Sequence, residues 1–219
     1  MRREKGLRIA VIGAAGNVGR RIVAEAVTRG HRVTAVVRDS VQRARLPASV
    51  AFRTGDASRS KDVEQWCRGQ DLLISAVRPP PGKEDLLVTM TRSILLGARR
   101  AGVRVLLVGG AASLKLPGKG SHTVLTAPGY LPASVVPIAR ACNAQYEACL
   151  ADTKTDWTYL SPPSTLEPGV RTGKFRLGTD ELLVDDRGDS AISMEDFAVA
   201  LLDEVENPQH RRTRFTVAY

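Results

Sequence analysis

The stretch that decides the fold is IAVIGAAGNVGRRIV, residues 9–23, where an apolar run meets a glycine-rich turn and an amphipathic pattern follows directly. The turn has the spacing Gly13-x-x-Gly16-x-x-Gly19. Gly13 permits a tight turn, Gly16 lets the backbone approach a pyrophosphate without a Cβ in the way, and Gly19 lets the next helix pack closely on the strand. The helix N-terminus then presents free N–H groups to the phosphates. The stretch therefore predicts a dinucleotide-binding turn. The alternative is that the three glycines serve only to let the chain turn and bind no ligand.

Short apolar runs alternate with amphipathic stretches along the first half of the chain. The pattern predicts strands at Leu7–Ile12, Arg32–Val37, Val50–Arg53, Asp71–Ala76 and Arg104–Val108, and helices at Val18–Thr28, Ser58–Cys67 and Glu84–Ala101. Apolar strands that alternate with helices indicate βαβ units. We therefore expect an α/β fold: a Rossmann-type doubly wound, mostly parallel sheet with helices on both faces.

The regular pattern stops after Val108. Residues 109–132 are rich in Gly, Pro and Ser and show no helical or strand period, and a loop of this length is usually functional or mobile. Further on, the sequence predicts a helix at Pro137–Ala151, a strand at Trp157–Leu160, a hairpin at Gly173–Val184, a helix at Met194–Glu206 capped by Ser193, and a last strand at Arg214–Ala218. We expect a single NAD(P)-binding domain over residues 1–219, with a small substrate-side segment at about 161–192.

The composition argues against several classes of function. The chain has 219 residues and a net charge of +9, but its basic residues are scattered and only 5% of residues are aromatic, so we expect no nucleic-acid partner. No apolar stretch approaches the ~20 residues that span a membrane. The three cysteines form no Cys-x-x-Cys pair and the three histidines are dispersed, which predicts reduced thiols in the cytoplasm and no metal site. A small molecule is the expected partner, and a homodimer is compatible with a sequence that leaves the oligomeric state open.

The end of the second predicted strand indicates which dinucleotide binds. An NAD site places Asp or Glu there, about 20 residues beyond the glycines, to bind the ribose hydroxyls. Here Arg38 stands 19 residues beyond Gly19, and a guanidinium suits a 2′-phosphate because it can bind bidentately. Asp39 could contact a ribose hydroxyl instead, and Arg38 could be a solvated strand end. We favour NADP(H), with Arg43 and Arg45 adding positive charge.

Five motifs together resemble a known family: the glycine turn at 13–19, V-V-R-D at 36–39, Gly-Asp at 55–56, G-G-A at 109–111 and D-W-T-Y-L-S-P-P at 156–163. With them the chain resembles the atypical short-chain dehydrogenase/reductases, and among these the NmrA-like and flavin/biliverdin reductase-like proteins that bind NADP. The resemblance covers nearly the whole chain. Its first motif is shared by many nucleotide binders, whereas its combination with D-W-T-x-L-S-P-P is more specific.

The resemblance implies a set of residues that contact the cofactor. They are Ala15, Gly16, Asn17 and Val18 at the pyrophosphate, Arg38 at the 2′-phosphate, Asp56 and Ala57 at the adenine, Ala76 and Val77 at the ribose, Gly109, Gly110 and Ala111 beside the nicotinamide, and Ser161, Pro162 and Pro163 on its other side. These segments follow predicted strands, and ligands of open α/β sheets bind at the carboxyl ends of strands.

The chain departs from the family at the catalytic pair Tyr-x-x-x-Lys. Ser134 follows Tyr130 at that spacing, and Leu150 follows Tyr146. Flavins and quinones need less help from a general acid, since they can take hydride and then a proton from water. The remaining candidates for catalysis are Ser113 near the nicotinamide, His122 as a proton donor and Tyr130 at the substrate pocket; each could equally be an ordinary turn, surface or packing residue.

The function that we expect is therefore an NADP(H)-dependent reductase acting on a small conjugated or carbonyl substrate such as a quinone, a flavin or a biosynthetic intermediate. The alternatives are a non-catalytic NADP-sensing regulator and an isomerase, epimerase or cyclase of a biosynthetic pathway. The fold alone favours none of them.

Overall fold

The computed structural model describes residues 6–219, and in that part of the chain strands and helices alternate as predicted. In chain order the elements are β1 (Arg8–Ile12), α1 (Asn17–Thr28), β2 (Arg32–Val37), a 3₁₀ helix (Ser40–Arg45), β3 (Ala51–Thr54), α2 (Ser60–Cys67), β4 (Leu72–Ser75), α3 (Leu86–Ala101), β5 (Arg104–Val108), α4 (Val136–Ala151), β6 (Trp157–Ser161), β7 (Thr165–Glu167), β8 (Arg176–Gly178), β9 (Ala191–Ser193), α5 (Met194–Glu206) and β10 (Thr213–Ala218).

Eight of these strands form one sheet in the order β3-β2-β1-β4-β5-β6-β10-β8. Strands β1 to β6 and β10 are parallel to their neighbours, and only β8 runs antiparallel, against β10. The strand order reverses between β1 and β4, and this switch point is where open α/β sheets bind ligands. The predicted fold class, a Rossmann-type doubly wound and mostly parallel sheet, is confirmed.

Helices cover both faces of the sheet because successive residues of β1 point in opposite directions and both sets are apolar. Ile9 and Val11 belong to the core under α1 and α5, where Phe197 is fully buried. Ala10 and Ile12 belong to the core on the other face, under α2, α3 and α4. Among the helices of residues 6–219, none combines the length and the apolar character needed to cross a bilayer. The cysteines are free thiols, as expected.

Residues 109–132 form no helix or strand, as predicted, yet this segment has a small core of its own. Leu114, Leu116 and Val124 pack with Leu182 in a separate buried cluster. Backbone hydrogen bonds within the segment close it further, for example from the Leu125 amide to the Ala112 carbonyl at 2.9 Å. The segment is therefore fastened against the protein by apolar contacts.

The predicted hairpin at Gly173–Val184 is wrong. Strand β8 pairs antiparallel with the C-terminal strand β10, Leu177 opposite Val217, and Glu181 bridges to Lys115 in the irregular segment. The turn signals in this stretch are local, whereas Leu182 gains burial only by leaving the hairpin and packing under residues 109–132. Tertiary burial therefore decides the pairing.

Candidate functional site

A cavity of about 480 Å³ opens at the switch point of the sheet. Loops that follow β1, β4, β5 and β6 form its floor, and the start of α4 forms one wall. The residues predicted to contact the cofactor that line it are Gly16, Asn17, Val18, Ala76, Val77, Gly109, Gly110, Ala111, Pro162 and Pro163. A larger and more open hollow of about 630 Å³ lies between α3 and α4, away from the glycine turn.

The glycine turn leaves the first amides of α1 open. Gly16 occupies the N-cap position, no side chain of the described residues caps the helix, and its first turn contains no acidic residue. The first four N–H groups of a helix have no partner inside it, so an uncapped N-terminus is suited to an anion. A phosphate group at the cavity edge therefore finds both hydrogen-bond donors and a favourable dipole.

Close packing requires glycine at two of the three positions. Gly13 has a φ of +76°, and a Cβ on it would lie 2.4 Å from the Ala76 carbonyl oxygen. A Cβ on Gly19 would lie 2.1 Å from the Gly13 carbonyl oxygen. At Gly16 the nearest atom would be 3.2 Å away, so the protein itself leaves more room there. Gly13 and Gly19 shape the turn from below, together with the buried Ala15, while Gly16 faces the cavity.

Arg38 follows β2, the neighbour of β1, and Asp56 and Ala57 follow β3 at the edge of the sheet beyond β2. None of the three lines the cavity. The Arg38 guanidinium forms no ion pair within residues 6–219. Hydrogen bonds from Ser58, assisted by the nearby charges of Arg59 and Arg38, lower the pKa of Asp56. The roles that the resemblance implies, Arg38 at the 2′-phosphate and Asp56 at the adenine, stay predictions.

The neighbours of Arg38 are committed elsewhere. Asp39 caps the 3₁₀ helix, where its Oδ1 accepts a hydrogen bond from the Val41 amide at 3.0 Å. The Arg43 guanidinium donates to the Pro47 and Ala48 carbonyls at 2.9 and 2.8 Å. Within residues 6–219 the Arg38 guanidinium has no hydrogen-bond partner and keeps its full capacity for a ligand, as does that of Arg45 at the end of the 3₁₀ helix.

A buried tyrosine fixes the loop after β5. The Tyr159 hydroxyl accepts a hydrogen bond from the Gly110 amide at 3.1 Å and lies 3.1 Å from both the Cys142 carbonyl oxygen and Gln145 Oε1. One hydroxyl proton can serve only one of those two oxygens. Gln145 is 1% exposed, lines the cavity, and its Nε2 has no partner within residues 6–219. The carboxamide is therefore only partly satisfied by the protein.

The structure does not bring the three predicted catalytic residues to the cavity lining. Ser113 Oγ accepts a hydrogen bond from Arg214 Nη1 at 2.6 Å, so its hydroxyl is held by a buried arginine that also pairs with Asp180. His122 is exposed, and its carbonyl accepts from the Leu116 amide within the irregular segment. Its side chain therefore stays at the surface, away from the cavity.

Tyr130 comes nearest to the cavity, although it too is outside the lining. Its hydroxyl lies 2.9 Å from Ser164 Oγ, and Ser164 is itself a lining residue. Tyr130 is 39% exposed. It is therefore positioned at the rim, one residue removed from the space that a substrate would fill.

The sequence interpretation missed a group of residues that line the cavity opposite the glycine turn. Arg78 and Pro79 follow β4, and the others come from the segment 131–145: Leu131, Val135, Ile138, Ala139, Cys142 and Gln145. Apart from the adjacent pair Ile138 and Ala139, the last five recur every three or four residues, which is the period of one helix face, and the sequence contains this pattern. Burial raises the pKa of the Cys142 thiol to about 11, so the thiol is neutral near pH 7 and adds no negative charge to the wall.

Comparisons with known proteins agree with this geometry. The model of a family described as NAD(P)H-binding matches residues 13–208. The chain is 34% identical over 215 residues to the uncharacterized protein YwnB of Bacillus subtilis strain 168, covering 96% of this chain and 98% of YwnB.

Two crystal structures of other proteins are similar along the whole chain. One is from Bacteroides thetaiotaomicron and is provisionally named an epimerase; it has a TM-score of 0.88 and 38% identity, covering 98% of each chain. The other is from Streptococcus pneumoniae and is provisionally named an NADH-flavin reductase; it has a TM-score of 0.82 and 29% identity, covering 97% of this chain and 99% of that one.

Proposed function

The chain belongs to the NAD(P)H-binding family, in agreement with the predicted resemblance to atypical short-chain dehydrogenase/reductases, and from this premise we propose that it is an NADP(H)-dependent reductase of a small conjugated or carbonyl acceptor. The observation that carries the proposal is the cavity itself. It joins an uncapped helix N-terminus to an apolar wall at the carboxyl edge of the sheet. A dinucleotide and a flat acceptor require those two environments side by side.

The residues of the turn fit a dinucleotide. The open amides at Asn17 and Val18 would bind the pyrophosphate beside Gly16, whose own amide donates to the Gly13 carbonyl at 3.0 Å. The close contacts at Gly13 and Gly19 leave no room there for side chains. Arg38 would bind the 2′-phosphate, because its guanidinium is available and Asp39 is committed to a helix cap. The name of the Streptococcus pneumoniae relative points to NADH instead, so the preference between the two cofactors is part of what must be measured.

The protein would contribute positioning and exclusion of water to the reaction. When bound, NADPH supplies a hydride. Gly109, Gly110 and Ala111 would lie on one side of the nicotinamide, and Pro162 and Pro163 on the other. The apolar wall would hold the acceptor flat against it. Because α4 carries no Tyr-x-x-x-Lys pair, the acceptor would take its proton from water, which suits quinones and flavins.

The name of the Bacteroides thetaiotaomicron relative favours a second candidate, an epimerase or another isomerase. In that case hydride would leave the substrate and return to it in the same cavity. The two candidates differ in one readout, since a reductase consumes NADPH stoichiometrically and an isomerase does not.

The test is a titration followed by an acceptor screen. Calorimetry with NADPH and with NADH measures both affinities, and loss of NADPH absorbance is then followed with menadione and with flavin mononucleotide (FMN). We expect micromolar binding of NADPH, NADH weaker by about tenfold, and consumption of NADPH that depends on the acceptor. The Gly16→Ala variant tests the turn itself, because its added Cβ makes only one close contact at 3.2 Å and should weaken NADPH binding while the fold persists. Failure of both nucleotides to bind would overturn the proposal. If NADPH binds but no acceptor causes its consumption, the reductase function is excluded and only cofactor binding remains.

A further inference from the structure

Gln145 is a buried polar side chain in the otherwise apolar α4 wall of the cavity. It shares this wall with Ile138 and Cys142, it is 1% exposed, and its Nε2 finds no hydrogen-bond partner among residues 6–219. A buried amide nitrogen without a partner costs free energy, and an apolar side chain of similar size would avoid that cost. The contacts of the folded chain alone therefore do not account for a donor at this position.

The contact with Tyr159 does not require a glutamine either. The Tyr159 hydroxyl accepts from the Gly110 amide, and its single proton has two acceptors to choose from at 3.1 Å, the Cys142 carbonyl oxygen and Gln145 Oε1. Without the carboxamide the hydroxyl would still have a donor and an acceptor. The contact does orient the glutamine, since it occupies Oε1 and leaves Nε2 as the free end of the amide.

Gln145 lies at the end of the cavity away from the glycine turn. The Tyr159 hydroxyl connects its Oε1 to the Gly110 amide through two contacts of 3.1 Å, and Gly110 follows β5. In the sheet order β1-β4-β5-β6, strand β5 is two positions from β1, which is about 10 Å at the usual spacing of strands. The pyrophosphate is expected after β1 and the nicotinamide beside Gly110, so the amide lies at the end where hydride would be transferred.

We infer that Gln145 donates a hydrogen bond from Nε2 to a carbonyl oxygen of the acceptor, and that the substrate is therefore a conjugated carbonyl compound of the quinone or enone class. This inference rests on the proposed reductase function and narrows the class of its substrate. It also supplies the partner that the buried amide lacks. A carbonyl oxygen suits the site because it accepts a hydrogen bond and brings no donor of its own.

Hydride addition makes the carbonyl oxygen the atom on which charge develops. The hydride brings two electrons to a carbon of the conjugated system, the π pair of the C=O bond moves to oxygen, and NADPH is oxidised to NADP⁺. An N–H donor fixed in a buried wall stabilises the resulting oxyanion more than the neutral carbonyl, because little water competes there. Gln145 keeps both amide protons throughout, and water protonates the oxygen afterwards.

The Gln145→Met variant tests the inference, because methionine keeps the length of the side chain and removes the amide. We expect kcat with menadione, a quinone, to fall by about tenfold or more and the NADPH dissociation constant to stay within about twofold. The free energy of unfolding should not fall, since the variant removes a buried donor that has no partner. A loss of stability that accompanies the loss of kcat would assign Gln145 to the packing of α4 and overturn the inference.

Asn143→Leu is the matched control. It removes a carboxamide from the same helix, but Asn143 lies outside the cavity lining and its Nδ2 donates to Glu147 Oε1 at 2.7 Å. Both kcat with menadione and the NADPH dissociation constant should stay at the wild-type values. A Gln145→Met variant that weakens NADPH binding and keeps its kcat would place the amide at the cofactor and contradict the inference.

An infrared measurement reports on the hydrogen bond without turnover. Menadione labelled with ¹³C at its carbonyl carbons is added to the protein with NADP⁺, which has no hydride to give, and the label identifies the carbonyl stretching bands. A hydrogen bond to oxygen weakens the C=O bond, so we expect one band at lower frequency in the wild type and in Asn143→Leu than in Gln145→Met.

Failure of the proposed function is read separately from failure of the inference. If no acceptor consumes NADPH, or if neither nucleotide binds, the spectra are recorded on the protein with menadione alone, and the shift between wild type and Gln145→Met still supports the donor. Identical carbonyl bands in these two proteins overturn the inference whether or not NADPH is consumed. A wild type that does not bind menadione in equilibrium titration overturns it as well.

Discussion

The hydroxyl of Tyr159 accepts a hydrogen bond from the amide of Gly110 at 3.1 Å, which ties the middle of strand β6 to the loop that follows β5. The Tyr159 ring also fills the space beside Gly109, where a Cβ would lie 2.1 Å from two ring atoms. Burial raises the pKa of Tyr159 well above its usual value, so the phenol stays protonated and serves as a fixed hydrogen-bonding group. The cavity wall beside the expected nicotinamide is therefore positioned from beneath by Tyr159.

Replacement of Tyr159 by phenylalanine tests this role. The Gly110 amide would lose its acceptor, so we expect the free energy of unfolding to fall by about 1–3 kcal/mol and kcat to fall more than the affinity for NADPH. Urea denaturation and calorimetry measure the two effects. Tyr130→Phe is the control, because its exposed contact with Ser164 should change stability by about 0.5 kcal/mol or less. Unchanged stability and kcat in Tyr159→Phe would contradict the assignment.

The glycines of the turn should respond differently to alanine. Gly19→Ala places a Cβ 2.1 Å from a backbone oxygen, and we expect it to destabilise the fold by about 2 kcal/mol or more. Gly16→Ala meets only a 3.2 Å contact, so we expect a melting temperature close to that of the wild type but NADPH binding weaker by about tenfold, since the backbone can no longer approach the phosphates as closely. Thermal melts and NADPH titrations of both variants measure these two effects. A loss of stability in Gly16→Ala with unchanged NADPH affinity would mean that Gly16 serves packing alone.

Arg38 is expected to set the preference for NADPH. Arg38→Ala should weaken NADPH binding by about tenfold or more and leave NADH binding nearly unchanged, because only NADPH carries the 2′-phosphate. Arg43→Ala is the matched control, since the Arg43 guanidinium is occupied by the Pro47 and Ala48 carbonyls. Calorimetric titration with both nucleotides gives the ratio. Equal losses for NADH and NADPH in Arg38→Ala would show that this residue does not read the phosphate.

The sequence predicted the elements whose signals are local. The apolar run of β1, the glycine turn and the start of α1 lie in fifteen consecutive residues, and Ser193 caps α5 through a hydrogen bond to Asp196 three residues on. The segments that follow β1, β4, β5 and β6 were predicted from the motifs that carry the resemblance, and ten of the cofactor contacts that it implies are found in the cavity lining. The extent of the domain and a homodimeric assembly stay predictions.

The features that the sequence interpretation missed depend on contacts between residues far apart in the chain. Ser113 follows the G-G-A-A turn directly, but Arg214, 101 residues later, takes its hydroxyl. Leu182 leaves the predicted hairpin for a core formed with residues 114–124. Arg78 and Gln145 reach one cavity from β4 and α4, and no local pattern places these two elements beside each other.

Ser113 should therefore contribute to stability more than to catalysis. Ser113→Ala removes the hydroxyl that accepts from the buried Arg214, and we expect the free energy of unfolding to fall by about 1–3 kcal/mol, as for other hydrogen bonds to charged groups. kcat should change by less than about twofold, because the hydroxyl lies outside the cavity lining. Steady-state assays measure kcat, and urea denaturation measures the free energy of unfolding. A large fall in kcat at unchanged stability would show that Ser113 takes part in the reaction.

Glu25 on α1 makes the stability of the protein depend on pH in the acidic range. The carboxylate accepts hydrogen bonds at 2.8 Å from Arg171 and from Arg29, and these bonds, led by that of Arg171, lower the pKa of Glu25 from 4.5 to about 2 against the effect of burial. A carboxyl whose pKa is lower in the folded state stabilises the fold above the unfolded value, so this contribution is complete above pH 4.5 and is lost as the pH falls towards 2.

The Glu25→Gln variant should reveal that window. We expect it to be less stable than the wild type by about 1–3 kcal/mol near pH 7, and the difference should shrink between pH 4.5 and 2 as the wild-type carboxylate is protonated. Urea denaturation at a series of pH values measures the difference directly. Glu64→Gln removes a carboxylate whose partner Arg68 is 73% exposed, and it should differ from the wild type by about 0.5 kcal/mol or less throughout. A gap for Glu25→Gln that stays constant down to pH 2 would mean that the amide disturbs packing and that the ion pairs of Glu25 contribute little.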